Sequence, residues 1–332
     1  MLDDSKTAIL SAVVQEYIAT ALPVGSTHIA DAPGVRVSSA TVRNEMAVLE
    51  QEGYLVQPHT SAGRIPTDKG YRFFVDHLST PGRIDAATRS EVGEFFRSAH
   101  GRLEEMLHRT SDLLAHLTNY AAVVVGPRAE AVAVRSLQVV GLSSTVAAVV
   151  VVFGNGSVES QTIEVGPDVT DAHLAAASAH LSGQLVGSSL AAAAPLPPSG
   201  DDVVDRLSAD ALAAVRAELG GEHLYVGGTS AMASAFDAVD IVRDVLRTLE
   251  QQFVVVSLIG DLVQRGLSVA IGVEHGVEPL AACSVVVAPV LVEGEQRGSV
   301  GVLGPTRMNY PQALATVEVV SDQLGRRLED TS

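Results

Sequence analysis

Residues 37–78 have the sequence VSSATVRNEMAVLEQEGYLVQPHTSAGRIPTDKGYRFFVDHL, and the prediction for the whole chain starts from this stretch. Ser38 is a favourable N-cap, since its hydroxyl can accept a hydrogen bond from a first-turn N–H. Gly53 is a favourable helix end, because glycine enters the left-handed C-cap conformation without strain. Between them Val42, Met46 and Leu49 recur at i, i+4 and i+7, which predicts an amphipathic helix with one buried stripe.

The opposite face of this helix carries small and polar side chains. They are Ala40, Arg43, Asn44, Ala47 and Gln51, with Ser39 and Thr41 at the N-terminal end. Small residues allow a helix to approach the floor of the major groove of DNA. Arginine suits guanine or phosphate, asparagine suits adenine, and serine or threonine suits either. An ordinary surface helix is the alternative, and the helix alone does not decide between the two.

A short polar hairpin follows the helix. Residues 55–57 predict a strand and residues 64–65 its return, while residues 58–63 form a turn-rich loop without large apolar side chains. A helix followed at once by such a hairpin is typical of the winged helix, in which the hairpin tip lies against the DNA backbone or minor groove. His59 and Arg64 are the candidate contacts in this wing.

The stretch ends in a last helix, capped by Thr67, whose inner face packs under the wing. That inner face is formed by Tyr71, Phe74, Val75 and Leu78. Lys69 and Arg72 are expected on its outer side. With helices predicted over residues 5–21 and 26–32, about 80 residues make a complete winged-helix domain. The candidate DNA-binding residues are Ser38, Ser39, Thr41, Arg43, Asn44, His59, Arg64, Lys69 and Arg72.

The run at residues 38–76 closely resembles the N-terminal domain of the HrcA family of heat-inducible transcription repressors. Two later runs support the resemblance, LYVGGTSAM at residues 224–232 and VGVLGPTRMNY at residues 300–310. The three runs lie in the order that the family has them, so the resemblance spans nearly the whole chain. It implies a homodimer that binds the inverted-repeat CIRCE operator upstream of chaperone genes. It also implies loss of activity on heat stress and the GroEL chaperonin as a partner.

A long helix is predicted over residues 86–119, after a hinge at residues 80–82. Its apolar residues alternate spacings of four and three, and they are Val92, Phe96, Ala99, Leu103, Met106, Thr110, Leu113 and Leu117. This heptad pattern fits either a core helix over a sheet or a seam against a second subunit. We expect a mixture, because Phe95, Leu107 and Leu114 widen the stripe.

From residue 121 the apolar period switches to two, which predicts strands. Strands are expected over residues 121–125, 135–140, 145–153, 157–165, 224–226, 267–273, 283–292 and 298–303. Short hairpin connections imply a mainly antiparallel sheet, which a terminal helix over residues 311–328 would cover. Helical segments over residues 168–190, 203–219 and 237–252 split these strands in sequence. The fold class is therefore α+β.

The expected division of the chain combines these patterns with the resemblance. A winged-helix DNA-binding domain occupies residues 1–80. The resemblance implies a GAF-like domain in two parts, at 86–166 and 253–332, and an inserted dimerisation domain at 167–252.

Composition limits the class of protein. The longest apolar run, residues 146–153, is too short to span a bilayer, and the acidic N-terminus lacks the basic start of a signal peptide. A single cysteine, Cys283, fits a reducing cytoplasm. The net charge is −17, and residues 1–80 hold six Lys and Arg against nine Asp and Glu. Affinity for DNA is therefore expected to depend on few phosphate contacts.

Motifs of catalysis and cofactor binding do not occur in the sequence. There is no Walker A loop, no HExxH, no CxxC, and no nucleophile elbow with the required flanking strand and helix. No enzyme activity, cofactor or metal is predicted. Two alternatives to the repressor stay open: a winged-helix regulator that responds to a small molecule, and a winged-helix module that binds proteins.

Overall fold

Two β-sheets with separate apolar cores organise the chain. The computed structural model describes residues 2–59, 62–78, 84–99, 103–126, 132–154, 156–190, 192–219, 224–229, 239–265 and 268–330. Helices together with antiparallel sheets place the fold in the predicted α+β class. Among these residues, no helix is both long enough and apolar enough to cross a bilayer.

Residues 2–78, which we call the head, form helices and a short hairpin around one core. The elements are α1 (Asp4–Thr20), α2 (Ser26–Ala30), α3 (Ser39–Gln51), β1 (Leu55–Val56), β2 (Ile65–Pro66) and α4 (Asp68–Asp76). Ser38 and Thr67 accept first-turn N–H groups at the start of α3 and α4, as predicted. Gly53 has φ +79°, the left-handed conformation expected just after α3.

After the head the chain continues through both sheets and their helices. The elements are α5 (Ala86–Ser98), α6 (Leu103–Thr118), β3 (Ala121–Val125), β4 (Val134–Gly141), β5 (Val146–Phe153), β6 (Val158–Glu164), α7 (Asp171–Leu185), α8 (Asp202–Leu219), β7 (Leu224–Gly227), α9 (Val239–Glu250), α10 (Gln252–Gln264), β8 (Val269–Ile271), β9 (Cys283–Val292), β10 (Glu295–Pro305) and α11 (Tyr310–Glu329).

The larger sheet has five antiparallel strands in the order β7-β3-β10-β9-β8. We call this sheet, with α5, α6 and α9–α11, the body. Alternate residues of β3 face two different cores: Ala122 and Val124 share one with the head and α11, whereas Val123 and Val125 share another with α9 and α10. Burial on both faces explains why these strands are continuously apolar rather than alternating.

Within the described part of the chain, the smaller sheet consists of β4, β5 and β6, in that order. Its core against α7 and α8 is separate from the two cores of the body. The sequence prediction assigned residues 135–165 to the same sheet as residues 283–303, and the structure separates them. Both sides of β3 are hydrogen-bonded, to β7 and β10, whereas the β5–β6 hairpin pairs with β4 in the smaller sheet.

The prediction of one long helix over residues 86–119 is wrong. The first part, α5, ends at Ser98, and Ala99 has extended backbone with ψ 93°. The second part, α6, begins at Leu103, and residues 100–102 lie outside the described residues. The fully buried stripe on α6 includes Leu107 and Leu114, which pack in the core beside α11. Within one chain, α6 therefore covers the larger sheet and α5 packs on α11.

Candidate nucleic-acid interface

The polar face of α3 points outward, as predicted from the sequence. Val42, Met46 and Leu49 are fully buried on the opposite side. Arg43 and Asn44 are exposed, and neither forms a hydrogen bond or an ion pair within the described part of the chain. Both side chains can therefore reach a ligand without breaking an internal contact.

The first turn of α3 is ordered by its own side chains. The Ser38 Oγ accepts the Thr41 N–H at 3.2 Å and lies 3.0 Å from the Thr41 Oγ1. Ser38 and Thr41 are exposed, and Ser39 is half-buried. Free N–H groups and the positive end of the helix dipole favour an anion such as phosphate at this end.

The wing is a two-stranded hairpin that is attached to the rest of the head. Leu55 pairs with Pro66, and the Gln57 side chain donates to the Ala62 carbonyl at 2.8 Å. His59 is exposed where the described part of the wing ends, since residues 60 and 61 lie outside it. The base of the wing is held by two backbone hydrogen bonds of 2.9 Å between Val24 and Arg64.

The structure corrects the prediction for Arg64. Its Nε donates to the Glu50 Oε2 at 3.0 Å, and only 16% of its side chain is exposed. The charge is thus neutralised by a residue of α3 and does not face outward as the predicted phosphate contact would. Arg64 instead fastens the wing to the C-terminal half of α3.

Lys69 is exposed on the outer side of α4, as predicted, and it also has a structural partner. Its Nζ donates to the Glu52 carbonyl at 2.7 Å and lies 4.2 Å from the centroid of the Tyr54 ring. A cation that binds carbonyls at the C-terminus of a helix stabilises the helix through both the hydrogen bond and the dipole. Lys69 therefore holds the end of α3.

Arg72 contacts the body, which corrects the prediction that it faces DNA. Its Nε donates to the Glu274 Oε1 at 2.9 Å, and its Nη2 donates to the Glu274 Oε2 and, at 2.9 Å, to the Val269 carbonyl. Asp76 accepts a further bond from Nη1 at 3.3 Å. The hydrogen bond to Glu274 is the main reason that the pKa of Arg72 is raised.

The structure thus brings together Ser38, Ser39, Thr41, Arg43 and Asn44 on one outward face and places the wing beside it. Arg36 is a further candidate, because it is exposed two residues before the N-cap and forms no ion pair among the described residues. The sequence signal for it was available, since a cation just before a recognition helix is placed to meet the DNA backbone.

Known proteins resemble this chain over nearly its whole length. The model of the family described as HrcA protein C terminal domain matches residues 104–314. The heat-inducible transcription repressor HrcA of Nocardia farcinica is 41% identical, over 99% of this chain and 97% of its own length. The protein of the same name from Mycobacteroides abscessus is 38% identical, over 98% of each chain. A crystal structure of a hypothetical protein shares the fold, with a TM-score of 0.70 at 24% identity over the full length of both chains.

Proposed function

Because the chain belongs to the HrcA family, we propose that it is a heat-inducible transcription repressor that binds an inverted-repeat operator as a homodimer. The observation that carries the proposal is the outward face of α3, where Arg43 and Asn44 are exposed and uncommitted. Each α3 would enter the major groove of one half-site. Two-fold symmetry of the protein requires a palindromic target, and membership of the family implies that this target is the CIRCE operator.

Individual residues then have distinct roles. Arg43 and Asn44 contact base edges, Ser39 and Thr41 contact bases or phosphate, and His59 positions the wing on the backbone. Ser38 keeps the first turn of α3 in shape by accepting the Thr41 N–H.

The three-stranded sheet supports self-association. Its helices α7 and α8 cover one face. By the alternation of strands, the other face carries uncharged side chains such as Gln138, Val140, Val150 and Val158, and Val140 and Val158 are 45% and 48% exposed. A partly apolar sheet face, whose one carboxylate among these strands is Glu164 at the end opposite Val146, suits an isologous contact with a second copy. The dimerisation unit that we propose therefore runs from β4 to α8.

Heat would act through the folded fraction of the protein. A domain of ordinary stability is only about 5–15 kcal/mol from unfolding, so a rise in temperature lowers the concentration of operator-binding protein. Unfolding would expose the valine-rich strands that are now buried on both faces. Such strands suit binding by a chaperonin, and GroEL is the partner that we expect.

The experiment is a competition-binding assay with mismatched operators. Arg43→Ala should remove about 1–3 kcal/mol of discrimination at one base pair of each half-site. Arg36→Ala is the matched control, because loss of a phosphate contact should weaken binding to all sequences alike. A uniform loss in the Arg43 variant, or an unchanged affinity for every sequence, would contradict the proposal.

A further inference from the structure

One side of α4 is bonded to a short segment of the body. Asp68 and Arg72 lie four residues apart, so both side chains project from the same face of the helix. Arg72 bonds to the Glu274 carboxylate and the Val269 carbonyl, and the Asp68 carboxylate accepts the Val273 N–H. We call these five residues the head–body joint.

The backbone of the body is shaped to allow this contact. Gly272 has φ +56°, and a Cβ on it would collide with the Asp68 carboxylate. Glycine is the residue that permits both the left-handed conformation and so close an approach.

Glu274 is held on its own side of the joint as well. Its Oε2 accepts the Ile271 N–H at 2.9 Å, so the carboxylate is oriented before Arg72 reaches it. A guanidinium that meets an oriented carboxylate through two N–H groups fixes an angle as well as a distance. The side chains of Arg72 and Glu274 are 25% and 31% exposed, so solvent only partly screens the pair.

On another side of α4 the head and the body are separated by a cleft of about 610 Å³. Gln15 and Phe74 line it from the head, and Tyr120, Arg307 and Gln312 line it from the body. The head therefore has room to pivot toward the cleft about the apolar contact that includes Tyr71 and Tyr310, whose ring centroids are 5.9 Å apart. The polar bonds of the head–body joint oppose that rotation.

We propose that Arg72 and Glu274 determine which operator spacing the repressor accepts, because they fix the angle of each head on the body. This inference rests on the proposed function as a dimer on an inverted repeat. One added base pair between half-sites moves them apart by about 3.4 Å and rotates them by about 35°. A rigid joint rejects that change, whereas a loose joint tolerates it.

The test measures binding to operators whose spacers differ by single base pairs. Wild type should prefer one spacer length. In Arg72→Gln and Glu274→Gln, affinity for that spacer should fall about threefold to tenfold, while affinity for neighbouring spacers falls less. The difference in affinity between the preferred spacer and its neighbours therefore becomes smaller. Affinity for a single half-site should not change. Arg297→Gln is the matched control, since it removes an arginine–carboxylate pair of 2.8 Å with Glu295, which lies beside the β9–β10 turn and includes none of the joint residues.

A double variant separates orientation from simple damage. Arg72→Glu combined with Glu274→Arg restores a charge pair and should recover part of the spacing preference that either single reversal loses. Retention of the full wild-type preference in both glutamine variants would overturn the inference. Tighter binding of those variants at every spacing would also overturn it, because the joint would then be an inhibitory latch. A wild type without any spacer preference would contradict the dimeric operator model itself.

Discussion

His275 is a buried histidine that fits its site only when neutral. Its side chain lies between two backbone groups: with the proton on Nε2 the ring donates to the Leu280 carbonyl at 3.0 Å, and Nδ1 accepts the Val277 N–H at 3.2 Å. The residue is 7% exposed. Burial is the main cause that lowers its pKa below 6.5, and it is opposed by hydrogen bonds to the backbone of Leu280 and Cys283 and then by the charges of Glu274 and Asp68.

The free energy of unfolding should therefore decrease as pH falls, over a pH range that this histidine sets. Well above pH 6.5 the ring is neutral in both the folded and unfolded protein and adds no pH dependence. Below that value the unfolded chain takes up the proton first, so stability is lost as pH falls, at a rate that approaches about 1.4 kcal/mol per pH unit. Urea unfolding at pH 7.5, 6.5 and 5.5 measures this. His275→Gln should be less stable at pH 7.5 but should lose less on acidification, and an equal loss would contradict the assignment.

The exposed face of α3 could be predicted from the sequence, whereas the roles of three nearby cations could not. Both ends of α3 are set by local residues, Ser38 and Gly53, and its stripe is decided by periodicity. Periodicity also places Arg72 on the outer side of α4, but it cannot indicate that Glu274, 202 positions later, covers that side. Sequence patterns predict which side chains face away from the core of one domain. They do not predict which of those side chains another domain covers.

At the scale of elements, the sequence predicts the bounds of the strands well, but it predicts poorly which strands share a sheet. The bounds of β3 and β9 agree with the prediction, since apolar runs and turns are local signals. Membership of a sheet depends on which distant strands pair, and alternation of residues carries no information on that. The predicted helix carried its spacings of four and three across the break between α5 and α6. On α6 these spacings therefore select a stripe that is rotated about the helix axis from the stripe that is buried.

Two helical glycines allow the packing of individual helices to be tested with the same substitution. A Cβ on Gly325 of α11 would collide with the Leu291 carbonyl oxygen of β9, whereas a Cβ on Gly93 of α5 would meet nothing within 4 Å. Gly325→Ala should destabilise the protein by about 1–3 kcal/mol through overpacking. Gly93→Ala should stabilise it by about 0.5–1 kcal/mol through its helix propensity. Urea unfolding compares them, and a change of the same sign in both would refute this account of the α11–β9 contact.

For the whole molecule, the net charge of −17 makes the salt dependence of DNA binding informative. Arg64, Lys69 and Arg72 are bonded within the protein, so we expect two cations of each head to reach DNA. Arg36 would contact a phosphate, and Arg43, in the groove at a base edge, would also offset phosphate charge. If each head neutralises about two phosphates, the slope of log K against log salt is about −3 to −4 for a dimer. Titrations of DNA binding at salt concentrations between about 50 and 200 mM measure this slope.

Substitution separates the cations in the same titration. Arg36→Gln should reduce the slope by about 2, one phosphate for each head, while Lys69→Gln should leave it nearly unchanged. A slope steeper than about −6 would mean that Arg64, Lys69 or Arg72 leaves its partner within the protein and binds DNA instead.

The order of strands in the larger sheet has a consequence for synthesis on the ribosome. β3 pairs with β10 in a register that joins Ala121 to Leu303, and the whole smaller sheet is translated between them. At about 5–20 residues per second, the ribosome needs roughly 10–40 seconds to pass from one strand to the other. Until β7 is made, the Ala-Ala-Val-Val-Val strand has no partner on either side, and until β10 is made it lacks the partner on one side. The yield of newly made repressor should therefore depend on how well the cell protects nascent chains. This dependence acts before any molecule binds its operator.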